Sequence, residues 1–403
     1  MTTRQLIVLA VCVAIFALGQ FHRASGSIFT PLLMEQFALT AAVVAGLVSA
    51  MFFATIAAQM PFGWALDRLG PRPVLTLSIL LVALGTLLFA LAGSYAQVLA
   101  ARILIGVGLA SMGAASHVII ARNFPAADFG YMSGLVVTLG GIGGLLGTFP
   151  LAFALERAPW GGVFGGVALV TLGLSFVVFK AVRPAAPLRK SGSQDTDAGA
   201  RAGGYLELLK LPEFRAILAL SIVTYAPITT VTGLWGGPFL QDALGFSPEA
   251  AGGTLSVLFA ATILGGYFFG LLDRHAPSRR SVILGGAGMS VLCLAALAVL
   301  PGQGSLLPVM LLLSMVLAQQ FYVPLGAQMR HAVPDHLLGR ASTLFNLLAV
   351  AAIPLLQLGF GAVLDACAAA GWSEAAQFRA AFGVMGAVIG LCLLGYLLLN
   401  GRR

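Results

Sequence analysis

The sequence predicts an all-α protein of the lipid bilayer with twelve membrane-crossing helices, and three observations carry that prediction. Of its 403 residues, 59% are apolar and only 9% are charged, against roughly 45–50% and about 25% in soluble domains. The mean hydropathy is +0.98, more apolar surface than one or two soluble cores can hide. A crossing helix takes roughly 20 residues, so twelve of them use about 240, in step with the apolar share. Such a composition excludes a soluble enzyme, a nucleic-acid binder and a single-span receptor.

Runs of this length must be helical, because lipid leaves open backbone groups unsatisfied. Hydropathy places spans at 6–33, 43–66, 74–93, 97–121, 130–154 and 160–181. Six more follow at 214–240, 249–271, 281–300, 306–328, 340–364 and 377–399. The chain therefore reads as an N-terminal six-helix bundle, 1–182, a polar linker, 183–213, and a C-terminal six-helix bundle, 214–403. The linker holds the run Arg189-Lys190-Ser191-Gly192-Ser193-Gln194-Asp195. It also holds Tyr205-Leu206-Glu207-Leu208-Leu209-Lys210-Leu211, which reads as a short amphipathic surface helix. Arg4 ahead of an apolar run resembles a signal peptide, but the run continues past Pro31 and is read as the first helix. Cys12, Cys293, Cys367 and Cys392 are scattered through apolar runs and form no CxxC pair, so neither a disulfide framework nor a metal site is expected.

Orientation follows from Lys and Arg. With both termini inside, 18 of the 22 fall in cytoplasmic segments, which accounts for the net charge of +8. External loops hold only Arg157 and Arg379, while Arg23 and Arg102 lie within spans. A multi-pass protein of a bacterial inner membrane is expected, with both ends in the cytoplasm.

The two halves also repeat. Pro31 and Thr40 correspond to Pro238 and Ser247; Asp67-Arg68 corresponds to Asp273-Arg274; Pro125 and Gly130 correspond to Pro334 and Gly339. All three pairings fall at nearly one offset. Duplicated six-helix halves with a substrate site between them near the midplane are a known transporter architecture.

The loop after the second span reads Gly63-Trp64-Ala65-Leu66-Asp67-Arg68-Leu69-Gly70-Pro71-Arg72. Gly permits close helix approach, and Asp with Arg offers a switchable charge pair. This G-x-x-x-D-R-x-G-x-R spacing, with its degenerate copy around Asp273 and Arg274, resembles the major facilitator superfamily over essentially the whole chain. The resemblance implies alternating access by two rocking bundles, and a gating loop built from Gly63, Asp67, Arg68, Gly70 and Arg72. In that family the loop carboxylate, here Asp67, engages the start of span eleven when the cytoplasmic side is closed. Charge-to-dipole attraction at a helix N-terminus is the physical reason. The second copy departs from the pattern, with Phe269 where Gly63 maps and Ser278 where Arg72 maps.

Span four carries Arg102-Ile103-Leu104-Ile105-Gly106, similar to the family's R-x-x-x-G signature, often linked to proton coupling. Arg102 is thus a coupling candidate, with anchoring to carbonyls or headgroups as the other reading. Span five carries Gly140-Gly141-Ile142-Gly143-Gly144-Leu145-Leu146-Gly147 and then Pro150. Glycines one turn apart suit tight packing, and the Gly-Pro step usual in the family's antiporters is replaced by Gly147-Thr148-Phe149-Pro150.

Arg23, in Gln20-Phe21-His22-Arg23-Ala24-Ser25, carries most of the functional expectation. Placing an Arg within a span costs around 2.5–3.5 kcal/mol on insertion scales, and a carboxylate partner would be expected. All fourteen acids can be placed in loops or at helix ends. The embedded charge is therefore wholly positive, Arg23 and Arg102, with His22 and His117 able to add to it. Unpaired guanidinium invites an anion, since Arg grips carboxylate or phosphate bidentately. Organic-anion members of the superfamily resemble this arrangement. Snorkelling of Arg23 to headgroups is the competing reading. On the C-terminal side Tyr225, Gln319, Gln320, Tyr322 and Asn346 supply neutral polar groups to the expected site.

The expectation is a secondary transporter of a small organic anion of carboxylate type, with protons as the candidate coupling ion. A monomer without metal or cofactor is expected. The same-fold rival is a drug or metabolite exporter, which would call for a membrane carboxylate and a Gly-Pro step. A transporter-like sensor would need a substantial soluble domain.

Overall fold

Continuous apolar sequence becomes continuous helix wherever no glycine or proline interrupts it. The computed structural model describes residues 1–125, 128–182, 207–300, 306–334 and 337–400, and regular structure among these is helical throughout. Twelve helices are long and apolar enough to cross a bilayer. In the first half they are Thr3–Ala24, Ala41–Leu66, Pro71–Ala90, Tyr95–Asn123, Tyr131–Arg157 and Trp160–Ala181. In the second half they are Pro212–Ala243, Pro248–His275, Arg279–Val299, Leu307–Ala332, Arg340–Ala369 and Glu374–Asn400. The all-α, twelve-span reading of the sequence stands. Most of the linker, including the Arg189–Asp195 run, lies outside the described residues; of the surface helix read at Tyr205–Leu211, residues 207–211 are described, 207–210 are helical and Leu211 is extended.

Seven spans are single helices and five are broken. The second, third, sixth, eighth, ninth, eleventh and twelfth run uninterrupted. The first turns at Ser25 into a further helix, Gly26–Phe37, so the expected end at residue 33 moves outward. The fourth is divided into Tyr95–Leu109 and Met112–Asn123, and the fifth into Phe129–Gly140, Ile142–Leu146 and Phe149–Arg157. The seventh passes from Pro212–Ser221 through Ala226–Thr230 into two π-helical stretches, Val231–Trp235 and Phe239–Ala243. The tenth has a 3₁₀ turn, Gln319–Phe321, between Leu307–Ala318 and Tyr322–Ala332. Pro227, Pro238 and Pro324 each remove the N–H that would bond the carbonyl four residues back, which is why the seventh and tenth spans loosen where they do. At membrane depth such backbone is tolerated only where protein buries it or where it lines a cavity.

The chain forms two compact units, Met1–Leu39 with Gly46–Gly192, and Thr40–Ala45 with Ser193–Arg403. In the first, Phe29, Phe89, Trp160 and Phe164 pack as an aromatic cluster, with Trp160 and Phe164 centroids 4.6 Å apart. The Trp160 indole donates to the Phe89 carbonyl at 2.8 Å. The glycine stripe of span five lies on the first span: a Cβ on Gly143 would overlap the Ala17 carbonyl, and one on Gly140 would stand 2.7 Å from the Phe16 ring. Tight packing is thus its structural role. In the second unit, Trp235, Phe239, Phe360, Phe378 and Phe382 form the corresponding aromatic core, with Trp235 stacked on Phe360 at 5.6 Å and 21°.

Candidate functional site

Arg23 occupies the last turn of helix Thr3–Ala24 and is half-buried. Its Nη1 donates to Gln20 Oε1 at 3.1 Å, a neutral acceptor one turn back. Among the described residues no carboxylate pairs with it. A guanidinium has five N–H donors in a fixed fork, so a single amide oxygen leaves most of that capacity for another group. Gln20 is the partner that charge counting alone does not reveal.

His22 and Arg102 come together, but away from Arg23. His22 is 2% exposed and Arg102 1% exposed. Arg102 Nη1 donates to the His22 carbonyl at 3.4 Å, and its guanidinium carbon lies 5.2 Å from the Phe29 ring centroid. Its Nε and Nη2 have no hydrogen-bond partner among the described residues. The His22 ring meets Thr86 Oγ1, Nε2 to oxygen, at 3.4 Å. Successive residues on a helix point about 100° apart, so His22 turns into the packed interior while Arg23 faces a more open side. Grouping His22 with Arg23 in one site, as the sequence suggested, is corrected to this extent. His117 is exposed on its helix, its ring 6.1 Å from Phe129.

In the second unit the expected neutral residues gather where the helices break. Gln319 and Gln320 lie in the 3₁₀ turn and Tyr322 begins the helix after it. Gln319 is fully buried with neither amide atom partnered among the described residues, and Gln320 Nε2 donates to the Val316 carbonyl at 3.4 Å. Tyr322 is 40% exposed, its ring 5.8 Å from Phe345, and Tyr225 stands just ahead of helix Ala226–Thr230 in span seven. Asn346, next to Phe345, is exposed. The Trp235 indole donates to the Gln357 carbonyl at 3.1 Å, and Gln357 Nε2 donates to the Thr229 carbonyl at 3.4 Å. Trp235 was not singled out from sequence, because a Trp in an apolar run carries no polar signal there.

The two gating loops differ in build. Gly70 holds φ +77 between the second and third spans, a left-handed region that glycine enters at no steric cost. A Cβ on Gly63 would meet nothing within 4 Å, so that position is open rather than closely approached. Arg68 lies over Trp64 at 4.3 Å and Arg72 over Phe179 at 3.9 Å. The Asp67 side chain lies outside the described residues, so the contact read for it has no structural counterpart here. In the second loop Asp273 does not pair with Arg274, which is exposed. Both its carboxylate oxygens accept from Arg279 Nε, at 2.9 and 3.1 Å. The basic residue missing at Ser278 is supplied one position later, because this loop is longer and has no left-handed glycine.

No group of three His, Cys, Asp or Glu able to hold a metal occurs among the described residues. A family model described as Major Facilitator Superfamily matches residues 9–357. A relative called "Probable sulfoacetate transporter SauU", from Cupriavidus necator, is 23% identical over 286 residues, 69% of this chain and 66% of its own length. A second, "Putative multidrug resistance protein MdtD" from Salmonella paratyphi B, is 34% identical over 111 residues, 27% of this chain and 24% of its own. The alignments therefore span just under two thirds of the first relative and a quarter of the second. Among solved structures, a bacterial homolog of the human lysosomal transporter Spinster, in an inward-facing and unoccupied conformation, superposes with a TM-score of 0.83. That match has 16% identity and covers 100% of this chain and 98% of the other.

Proposed function

Because the chain belongs to the Major Facilitator Superfamily, we propose that this multi-pass transmembrane transporter moves a small organic anion of carboxylate type. It does so by alternating access of its halves, 1–182 and 214–403, with protons as the candidate coupling ion. Membership makes it a transporter and not an enzyme; the solute class, the coupling and the halves as moving bodies are our reading.

One observation carries the anion reading. Arg23 stands at a break in the first span, and among the described residues its partner is the neutral Gln20. Burying a cation without a counter-charge is costly, and a bound anion supplies that charge while the fork grips it bidentately. Arg23 and Gln20 would hold the solute on the N-terminal side. Tyr225, Gln320, Tyr322 and Asn346 are the second unit's candidate neutral donors and acceptors. The name of the Cupriavidus necator relative, a probable sulfoacetate transporter, favours the same class of solute. The short match to a putative multidrug resistance protein favours the exporter rival.

Binding of sulfoacetate and a panel of small carboxylates, read by thermal shift on purified protein, tests this, because ligands stabilise the state they bind. Arg23→Ala is expected to weaken binding by about thirtyfold or more, the cost of removing one partner of a desolvated charge pair. Arg23→Lys should lose about tenfold, since ammonium keeps the charge but not the fork. A snorkelling Arg would let Lys substitute freely and leave affinity untouched in Ala. Should all three bind alike, the anion reading fails and the exporter reading replaces it.

We place the protein in a bacterial inner membrane with both termini cytoplasmic, on the 18 of 22 Lys and Arg that this orientation puts inside. A cysteine at Ser191 should resist an impermeant thiol reagent added to intact cells. Labelling there from outside would reverse the topology.

A further inference from the structure

At one end of the second unit four spans close imperfectly. Span seven finishes in the π-helical stretch Phe239–Ala243, span nine stops at Val299, span ten starts at Leu307 and span twelve at Glu374. These ends share the side that the charge bias reads as external. A π-helical turn is wider than an α-helical one and recurs at functional sites. Pro308 opens span ten without an N–H to give. Between these ends lies a cavity of about 280 Å³.

The cavity walls are apolar except at Ser373 and Arg379. The Phe239 ring meets Phe382 edge-on, centroids 4.9 Å apart, and lies 5.5 Å from Phe378. Phe378 is 4% exposed and belongs to the core. Arg379 follows it about 100° further round the same helix, and so reaches the cavity wall instead of the core.

Arg379 is also the cation that topology does not explain. The rule that gathers Lys and Arg on the cytoplasmic side accounts for the other described cations of this unit. The other Arg read as external, Arg157, is satisfied locally. Glu156 lies 3.7 Å from it, the Phe153 carbonyl accepts from its Nη1 at 3.1 Å, and its guanidinium carbon is 3.5 Å from the Phe153 ring centroid. Arg379 is half-buried, and among the described residues it makes no ion pair and no side-chain hydrogen bond. Asp242 and Glu374, at the same end, are exposed and do not line the cavity, so water and salt screen them.

We propose that this cavity binds an anionic amphiphile, its apolar tail between spans seven, nine and ten and its negatively charged head on Arg379. A half-buried guanidinium with unmet donors attracts a carboxylate or phosphate, which it can grip with two parallel hydrogen bonds. Apolar walls favour a chain in proportion to the area they take from water. The volume falls just below the range of about 300–1,000 Å³ usual for drug-sized ligands, which suits a single chain. The head is that of a free fatty carboxylate or of an anionic phospholipid lending one of its chains. No residue of this cavity is assigned to the transported solute, so the site stands apart from the reading of Arg23.

The test is photolabelling of the whole protein, in phosphatidylcholine nanodiscs, with dodecanoate carrying a terminal diazirine. Adducts are mapped by peptide mass spectrometry. Saturable adducts are expected on the wall residues Leu297, Leu307 and Leu311. Arg379→Ala should lower them about tenfold, as for the loss of a hydrogen bond to a charged group; Arg379→Gln serves if the Ala variant does not fold. Leu311→Trp, which fills the cavity and keeps the cation, should lower them as much. Arg23→Ala should leave them unchanged, which separates this site from the solute reading. Displacement of the label by phosphatidylglycerol added to the discs names the phospholipid as occupant, and persistence of the label names the free carboxylate. Absence of saturable adducts, or adducts within twofold of the parent in a folded Arg379 variant, overturns the proposal. Equal adducts from the matching diazirine alcohol or amine also overturn it, since the cation would then not select the head.

Discussion

The first and seventh spans occupy equivalent places in the repeat, yet they solve the same problem with opposite chemistry. Span one breaks at Ser25 with Arg23 on the more open side, and Arg102 of span four packs against the His22 carbonyl beside that break. Span seven loosens into π-helix and brings neutral groups, Tyr225, Thr229 and the Trp235 indole. In the second unit the described Lys and Arg stand at helix ends or in loops. Spans one and seven, and four and ten, thus keep irregular backbone in corresponding places, whereas span five is broken and its counterpart, span eleven, is continuous; the charge diverges between the halves.

The largest expected effect bears on whether the buried cation is a burden to the empty protein. Among the described residues Arg102 has two donors without partners, and Gln319 in the second unit has an unpartnered amide. Replacing Arg102 by Met, of similar length, should raise the melting temperature by an amount corresponding to about 1–4 kcal/mol, as when buried charge gives way to apolar side chains. Gln319→Leu should raise it by less, about 1–3 kcal/mol, because a neutral group costs less to bury unsatisfied. A lower melting temperature for Arg102→Met would show that the cation stabilises its unit, and the contrast between the halves would lose its energetic basis.

A smaller effect sharpens the comparison at the packing level. Gly143→Ala must push its new Cβ against the Ala17 backbone, so a loss of about 1–3 kcal/mol is expected from overpacking. Gly265→Ala in the second unit meets the Gln320 Cγ at 2.8 Å and Leu317 Cδ2 at 3.2 Å, side-chain atoms that can swing aside. Its cost should stay below about 1 kcal/mol. Thermal melts of the two variants in one detergent check this. Equal losses would mean that the second unit is as rigidly packed at its breaks as the first.

The spans were legible because hydropathy is a local property: a run such as Ala41–Leu66 has little choice but to be a buried helix once lipid is the solvent. Arg23 stood out in the sequence as a cation deep in an apolar run, and its role remains the one proposed above. Its partner Gln20 was one helical turn away and unremarked, because a neutral amide carries no charge signal. His22 misled for a related reason. Sequence adjacency suggested a shared site, whereas the helix turns adjacent residues to different faces. The pairing of Asp273 with Arg279 was hidden by an offset of one residue between loops of unequal length.

By itself the sequence determined that the chain is a duplicated set of membrane helices with unpaired positive charge inside one half. Composition, charge position and repeat spacing are properties of residues one at a time, and lipid acts on them as such. Only the tertiary structure decided where those helices break into π and 3₁₀ turns. It also decided that Arg102 rests on a carbonyl and an aromatic ring. Arg379, which reads from sequence as an ordinary cation of an external loop, was placed by the structure alone at the wall of an apolar cavity. Those outcomes depend on which helix faces meet, and a cavity walled by distant helix ends leaves no periodic trace in the chain that makes it.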